Sequence, residues 1–153
     1  METKNCVKAR VLPAQGTSGS VVVSILRNVI DAAITPWVAA TDVDLSGPAR
    51  ANLNVRASDV RVVPTTDLLR IIADAEQVVW ASFFFCRSHA NALGILPELS
   101  YIESTAIAHL VARVVDATSV ELFASGSEYG ALRERFPNST IEVGELSSTD
   151  FAE

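Results

Sequence analysis

The sequence predicts an α+β fold: a mixed, largely antiparallel sheet with about three helices packed on it. Three observations carry this expectation. The elements read in the order β-α-β-β-α-β-β-β-α-β. Several strands follow one another with only a turn between them, which favours antiparallel neighbours. One run, Val78–Cys86, is apolar on both of its strand faces and so asks for cover above and below.

Taken in order, Val7–Leu12 reads as a first strand closed by Pro13. Ser20 is placed to cap a helix over Val21–Ala33, where Val22, Ile25, Leu26, Val29 and Ala33 recur at helical spacing. The Val-Val-Val opening works against this, because β-branched residues lose side-chain freedom in a helix. A strand from Val21 is therefore the alternative. Pro36 ends the element, Trp37–Leu45 alternates as a strand, and Ser46-Gly47-Pro48 is a turn signal. Leu53–Val63 follows as a strand, bulged around Ala57-Ser58, with Arg56 and Arg61 toward solvent. Thr65 or Thr66 then caps a helix over Asp67–Ala75, whose first-turn Asp67 suits the helix dipole. Leu68, Leu69, Ile71, Ile72 and Ala75 form its buried face.

The run Val78–Cys86 is of strand length and rich in aromatic and β-branched residues. Strict alternation puts Val78, Trp80, Ser82, Phe84 and Cys86 on one face and Val79, Ala81, Phe83 and Phe85 on the other. This is a central strand, which takes its Trp and Phe residues off the list of functional candidates. Arg87–Leu99 shows no clear period and reads as a loop with a helical turn. Ala106–Asp116 and Ser119–Ala124 form a hairpin about Asp116-Ala117-Thr118-Ser119. Ser127 caps a helix over Glu128–Phe136, and Pro137-Asn138 leads to a last strand, Thr140–Val143. The tail from Glu145 is polar and expected to fray. With no repeat and no linker, residues 1–153 are expected to form one domain.

Hydrophobic residues make up 49% and charged residues 20% of the 153 residues, the composition of a folded globular chain. The net charge of -6 argues against nucleic acid, whose phosphates need a basic surface. It fits a basic protein partner or plain solubility. Cys6 and Cys86 make no disulfide framework and behave as small hydrophobes, although a bridge between them stays open. The N-terminus carries no signal-peptide apolar core, and the longest apolar run is far short of the roughly 20 residues that span a bilayer. A cytoplasmic protein, not associated with membranes, is expected.

Chemical motifs fail one by one. Asp42-Val43-Asp44-Leu45-Ser46-Gly47 resembles the start of a calcium loop, but Leu53 stands where the bidentate acid belongs. Gly16-Thr17-Ser18-Gly19-Ser20 lacks the Lys of a phosphate-binding loop and the third glycine of a dinucleotide fingerprint. Ser127 sits one place too early for a nucleophile elbow. His89 and His109 have no companion at metal-ligand spacing, and Cys86 with His89 is sequence adjacency only. No cofactor, metal or catalytic residue is expected. His109, Arg113 and Glu121 are the candidates for a small polar site, set against the ordinary reading of an open hairpin face.

The strand VVWASFFFC, the hairpin AHLVARVVDATSVELFAS and the helix SEYGALRERF loosely resemble small bacterial proteins of uncharacterised and toxin-immunity type. The resemblance implies a protein that neutralises a partner by occluding its active site, acidic side chains facing a basic cleft. Asp42, Asp44, Asp59 and Glu103 are the acidic candidates for such a surface. The leading expectation is thus a non-enzymatic binding protein. The alternatives are a small-molecule-binding domain or small enzyme with a pocket near His109 and Arg113, and a subunit whose apolar strands complete a homo-oligomer.

Overall fold

The computed structural model describes residues 5–14, 16–98, 107–125, 129–137 and 140–145. Among them, seven strands form one antiparallel sheet in the order β3-β2-β4-β5-β6-β1-β7. The strands are β1 (Asn5–Val11), β2 (Trp37–Ser46), β3 (Arg61–Pro64), β4 (Gln77–Cys86), β5 (Leu110–Val115), β6 (Ser119–Ser125) and β7 (Thr140–Glu145). The helices are α1 (Gly19–Arg27), α2 (Thr65–Ala73), α3 (His89–Leu93) and α4 (Tyr129–Arg135), with a 3-10 turn at Pro48–Ala51. The α+β expectation and its element order hold. The structure adds α3 to the three expected helices, and every strand pair is antiparallel.

Strand alternation sorts the core into two layers. On the first face Val7, Ala9, Val38, Ala40, Phe83, Phe85, Ala112 and Leu122 pack with Val22 and Leu26 of α1, Leu68 and Ile72 of α2, and Leu132 of α4. On the second face Ala39, Phe84, Cys86, Val111 and Phe123 pack with Ala92 of α3 and Ile95. β4 is therefore covered on both sides, as its residues require. Its face assignment needs one correction. Val78 lies in the first layer with Phe83 and Phe85, not with Phe84 and Cys86. The β2 pairing jumps from Asp44↔Trp80 to Leu45↔Val78, and this irregularity shifts the alternation by one residue.

Other departures have local causes. The first helix starts at Gly19 and ends at Arg27, well short of Ala33. Its cap is Ser18, not Ser20: the Val21 N–H donates to Ser18 Oγ at 3.4 Å. The Asp31 carboxylate accepts from the Ala33 N–H at 2.9 Å and sets a turn where the helix was expected to continue. The expected strand over Leu53–Val63 shrinks to β3 plus one bridge between Val43 and Val55. Between them the chain leaves the ladder, and the Thr41 hydroxyl donates to the Asp59 carbonyl at 2.6 Å. The hairpin turn is as expected, with Asp116 and Ala117 both at positive φ (47° and 56°), matching the twist of its strands. Ser127 lies outside the described residues, as does the tail after residue 145.

The glycine-rich loop is a structural joint. Thr17 is fully buried; its hydroxyl donates to the Val78 carbonyl at 2.7 Å, and the Val78 N–H donates to the Thr17 carbonyl at 2.8 Å. The Gly19 N–H donates to the Ala75 carbonyl at 3.0 Å. A Cβ on Gly19 would lie 1.9 Å from the Ile72 carbonyl oxygen, so only glycine lets α1 approach the end of α2 this closely.

Two stability predictions follow from these contacts. Phe84→Ala removes a ring that is 3% exposed and should cost about 3–5 kcal/mol in denaturant unfolding. A loss within experimental noise would mean that β4 has an open face. Gly19→Ala should cost about 1–3 kcal/mol, because backbone and not a pliable side chain must give way. Unchanged stability would contradict the close approach of α1 and α2.

Candidate functional site

The acidic candidates do not form a patch of one sign. Asp42 and Asp59 are exposed beside the irregular part of β2, but Arg56 is exposed in the same loop, and Arg61 is exposed at the start of β3. Asp44 lies 3.7 Å from Arg50 in an exposed ion pair. Asp42 has a backbone reason to be there: its φ is 51°, in the left-handed region that Asp tolerates better than most residues, at a register shift of β2. Glu103 lies outside the described residues.

The polar trio His109, Arg113 and Glu121 is split. Arg113 and Glu121 face each other across β5 and β6, with Arg113 Nη1 3.5 Å from Glu121 Oε1. Lys8 of β1 completes the group, its Nζ 3.0 Å from Glu121 Oε2 and 5.8 Å from the centre of the Phe123 ring. The Glu121 side chain is only 9% exposed, so one cation at each oxygen offsets its burial. This arrangement joins three strands on the second face and leaves no carboxylate oxygen free of a cation. Lys8 had been missed by sequence reasoning, although its alternation with buried Val7 and Ala9 places it on this face. His109 stands four residues before Arg113, about 13 Å along an extended chain, too far to share a small site.

His109 instead borders a cleft of about 310 Å³. Its N–H donates to the Phe85 carbonyl at 2.9 Å, which fixes it beside the end of β4. Arg27 at the end of α1, Asp31 and Thr35 of the following loop, and Arg135 at the end of α4 also line the cleft. Val29, Ile30 and Ile34 supply an apolar wall, with Ile34 54% exposed. Arg87 Nη2 lies 3.1 Å from His109 Nδ1. A guanidinium only donates, so Nδ1 accepts and the neutral ring carries its proton on Nε2. The cleft is assembled from chain segments far apart in sequence, which is why no local motif announced it.

Cys86 and His89 make no reactive pair. Cys86 is buried, its Sγ donating to the Phe84 carbonyl at 3.4 Å, and burial pushes its thiol up to about 11. His89 is exposed and stacks edge-on against Trp37, ring centres 4.4 Å apart. Cys6 lies on β1, three strands from β4, about 14 Å away at ordinary strand spacing and beyond disulfide reach.

Among the described residues no group of three or more His, Cys, Asp or Glu is placed to hold a metal ion. No helix among them is long and apolar enough to cross a membrane. The large exposed apolar residues there are Leu12, Ile34, Leu93 and Leu96, of which only the last two lie close together in the chain.

No family model, curated protein or solved structure matches this chain. The likeness to immunity-type proteins thus rests on residue pattern alone.

The raised Cys86 thiol has a testable sign. The unfolded thiol ionises near 9.0, while the folded one holds its proton to about 11. Above pH 9 the unfolded state therefore releases a proton that the folded state keeps, and stability falls. Relative to Cys86→Ala, the native protein should lose up to about 2–3 kcal/mol between pH 9 and 11, and nothing below pH 8. A difference independent of pH would mean that solvent reaches the thiol.

Proposed function

We propose that the protein is a binding protein and not a catalyst, and that the cleft beside His109 is its ligand site. The supporting observation is the cleft itself: a concave space of about 310 Å³ with an apolar wall and several converging polar groups. That is the lower end of the size range of small-molecule sites, and the mixture of linings is typical of them. The case against catalysis is chemical. The Cys86 thiol is buried and held protonated, the Thr35 hydroxyl donates to the Asp31 carbonyl at 3.1 Å, and His109 Nδ1 is occupied by Arg87. None of these groups is poised as a nucleophile with a free base beside it. We place the protein in the cytoplasm, a reading to which a buried cysteine without a disulfide partner lends support.

The immunity-like reading ranks second. Asp42 and Asp59 are exposed near each other, but the arginines among them dilute the field that would steer a basic partner.

Small-molecule screening by NMR tests the ranking. Binders should shift the signals of Ile30, Ile34 and His109, and Ile34→Ala should weaken them by about 1 kcal/mol without affecting the fold. If no small molecule moves these signals, and a basic protein is retained from lysate at low salt but lost at high salt, the immunity-like reading takes first place.

A further inference from the structure

We infer that the cleft beside His109 selects a small organic anion, its carboxylate or phosphate head held by Arg27 and Arg135 and its apolar body resting on Ile30 and Ile34. This rests on the reading of the cleft as a ligand site and adds the ligand's chemical class.

Charge is the first argument. Among the described residues, two arginines line the cleft against one carboxylate, Asp31, and a third, Arg87, is held at its edge through His109. Both lining arginines end helices, where backbone carbonyls contribute roughly half a negative charge each. Three cations against Asp31 and two such ends leave roughly one positive charge. In a chain of net charge -6 this is a local reversal of sign. The overall charge also keeps long polyanions such as nucleic acid away, so a compact anion suits the cleft best.

Hydrogen-bonding capacity is the second argument. The Arg87 bond makes Nδ1 of His109 an acceptor already in use and leaves Nε2–H as the donor of the ring. Arg27 and Arg135 can only donate. Asp31 accepts from the Ala33 N–H, and the Thr35 hydroxyl is spent on the Asp31 carbonyl. Asn28 adds two amide donors and one acceptor oxygen, and Asp31 keeps its second oxygen. Among the described residues the donors of Arg27, Arg135, His109 and Asn28 therefore outnumber the free acceptors and call for a ligand rich in acceptors. The exposed Ile34 and half-buried Ile30 favour a ligand with an apolar body over a bare inorganic ion.

Titration with benzyl phosphate, benzoate and benzyl alcohol tests the inference, by calorimetry for affinity and NMR for location. The two anions should bind at least about fivefold more tightly than the alcohol, less so at high salt. Arg27→Gln and Arg135→Gln should each lose about fivefold for the anions, and Arg70→Gln, remote on α2, should lose nothing. If the alcohol binds as well as the anions, or if both cleft variants bind normally while only their melting temperatures fall, the arginines are helix caps and the anion assignment is wrong. Shifts at Ile30, Ile34 and His109 would in that case still uphold the cleft as a ligand site. Absence of those shifts with all three probes would overturn the anion assignment together with the cleft reading on which it rests.

Discussion

β4 presents Phe83 and Phe85 to one side of the sheet and Phe84 and Cys86 to the other, and all four are buried. A strand with two apolar faces cannot be satisfied by one layer of helices. The sheet is therefore sandwiched unevenly. α1, α2 and α4 contribute to the first face, and the short α3 with Ile95 covers part of the second. Much else answers to this demand. The Thr17–Val78 bonds and the bare backbone of Gly19 tie α1 and α2 together over β4. α1 buries Val22, Val23, Ile25 and Leu26 and ends at Arg27, before the turn that Asp31 sets.

The uneven cover decides where polar chemistry can exist. Away from α3, the second face holds Lys8, Arg113 and Glu121, where charge is tolerated only because each carboxylate oxygen has its own cation. Replacement of such a group by well-packed apolar residues is often neutral for stability, so its persistence here is an argument about strand register more than about energy. A register slip on either side of β6 would leave Glu121 opposite an apolar residue.

The sequence carried the element order because each strand and helix leaves a periodic signal in its own residues. The order β-α-β-β-α-β-β-β-α-β survives intact, with only α3 added. What it could not carry was any feature decided between distant segments. Where residues 57–60 leave the ladder, the Thr41 hydroxyl meets the Asp59 carbonyl, a contact between β2 and the loop after it. The face of Val78 depends on a shift against Leu45. For the site, His109 was legible as a polar residue in apolar surroundings. Arg27, Asp31 and Arg135 were not, since each sits at a helix end or turn where an ordinary local role accounts for it.

Net charge was the least informative quantity for function. A value of -6 fits a basic partner or plain solubility alike, yet the cleft beside His109 is lined by two arginines. Both can be true because charge acts locally: at physiological ionic strength fields fade within about 8 Å. Over that distance an anion in the cleft would sense first the charges at its lining and edge, Arg27, Arg135, Asp31 and the Arg87–His109 pair. At low ionic strength the field of the remainder reaches further and acts before contact. It repels large polyanions on approach while a small ligand, carrying one or two charges, passes with little penalty. On the anion reading, the net charge of the chain and the cleft would together discriminate by ligand size, a selectivity that neither would provide alone.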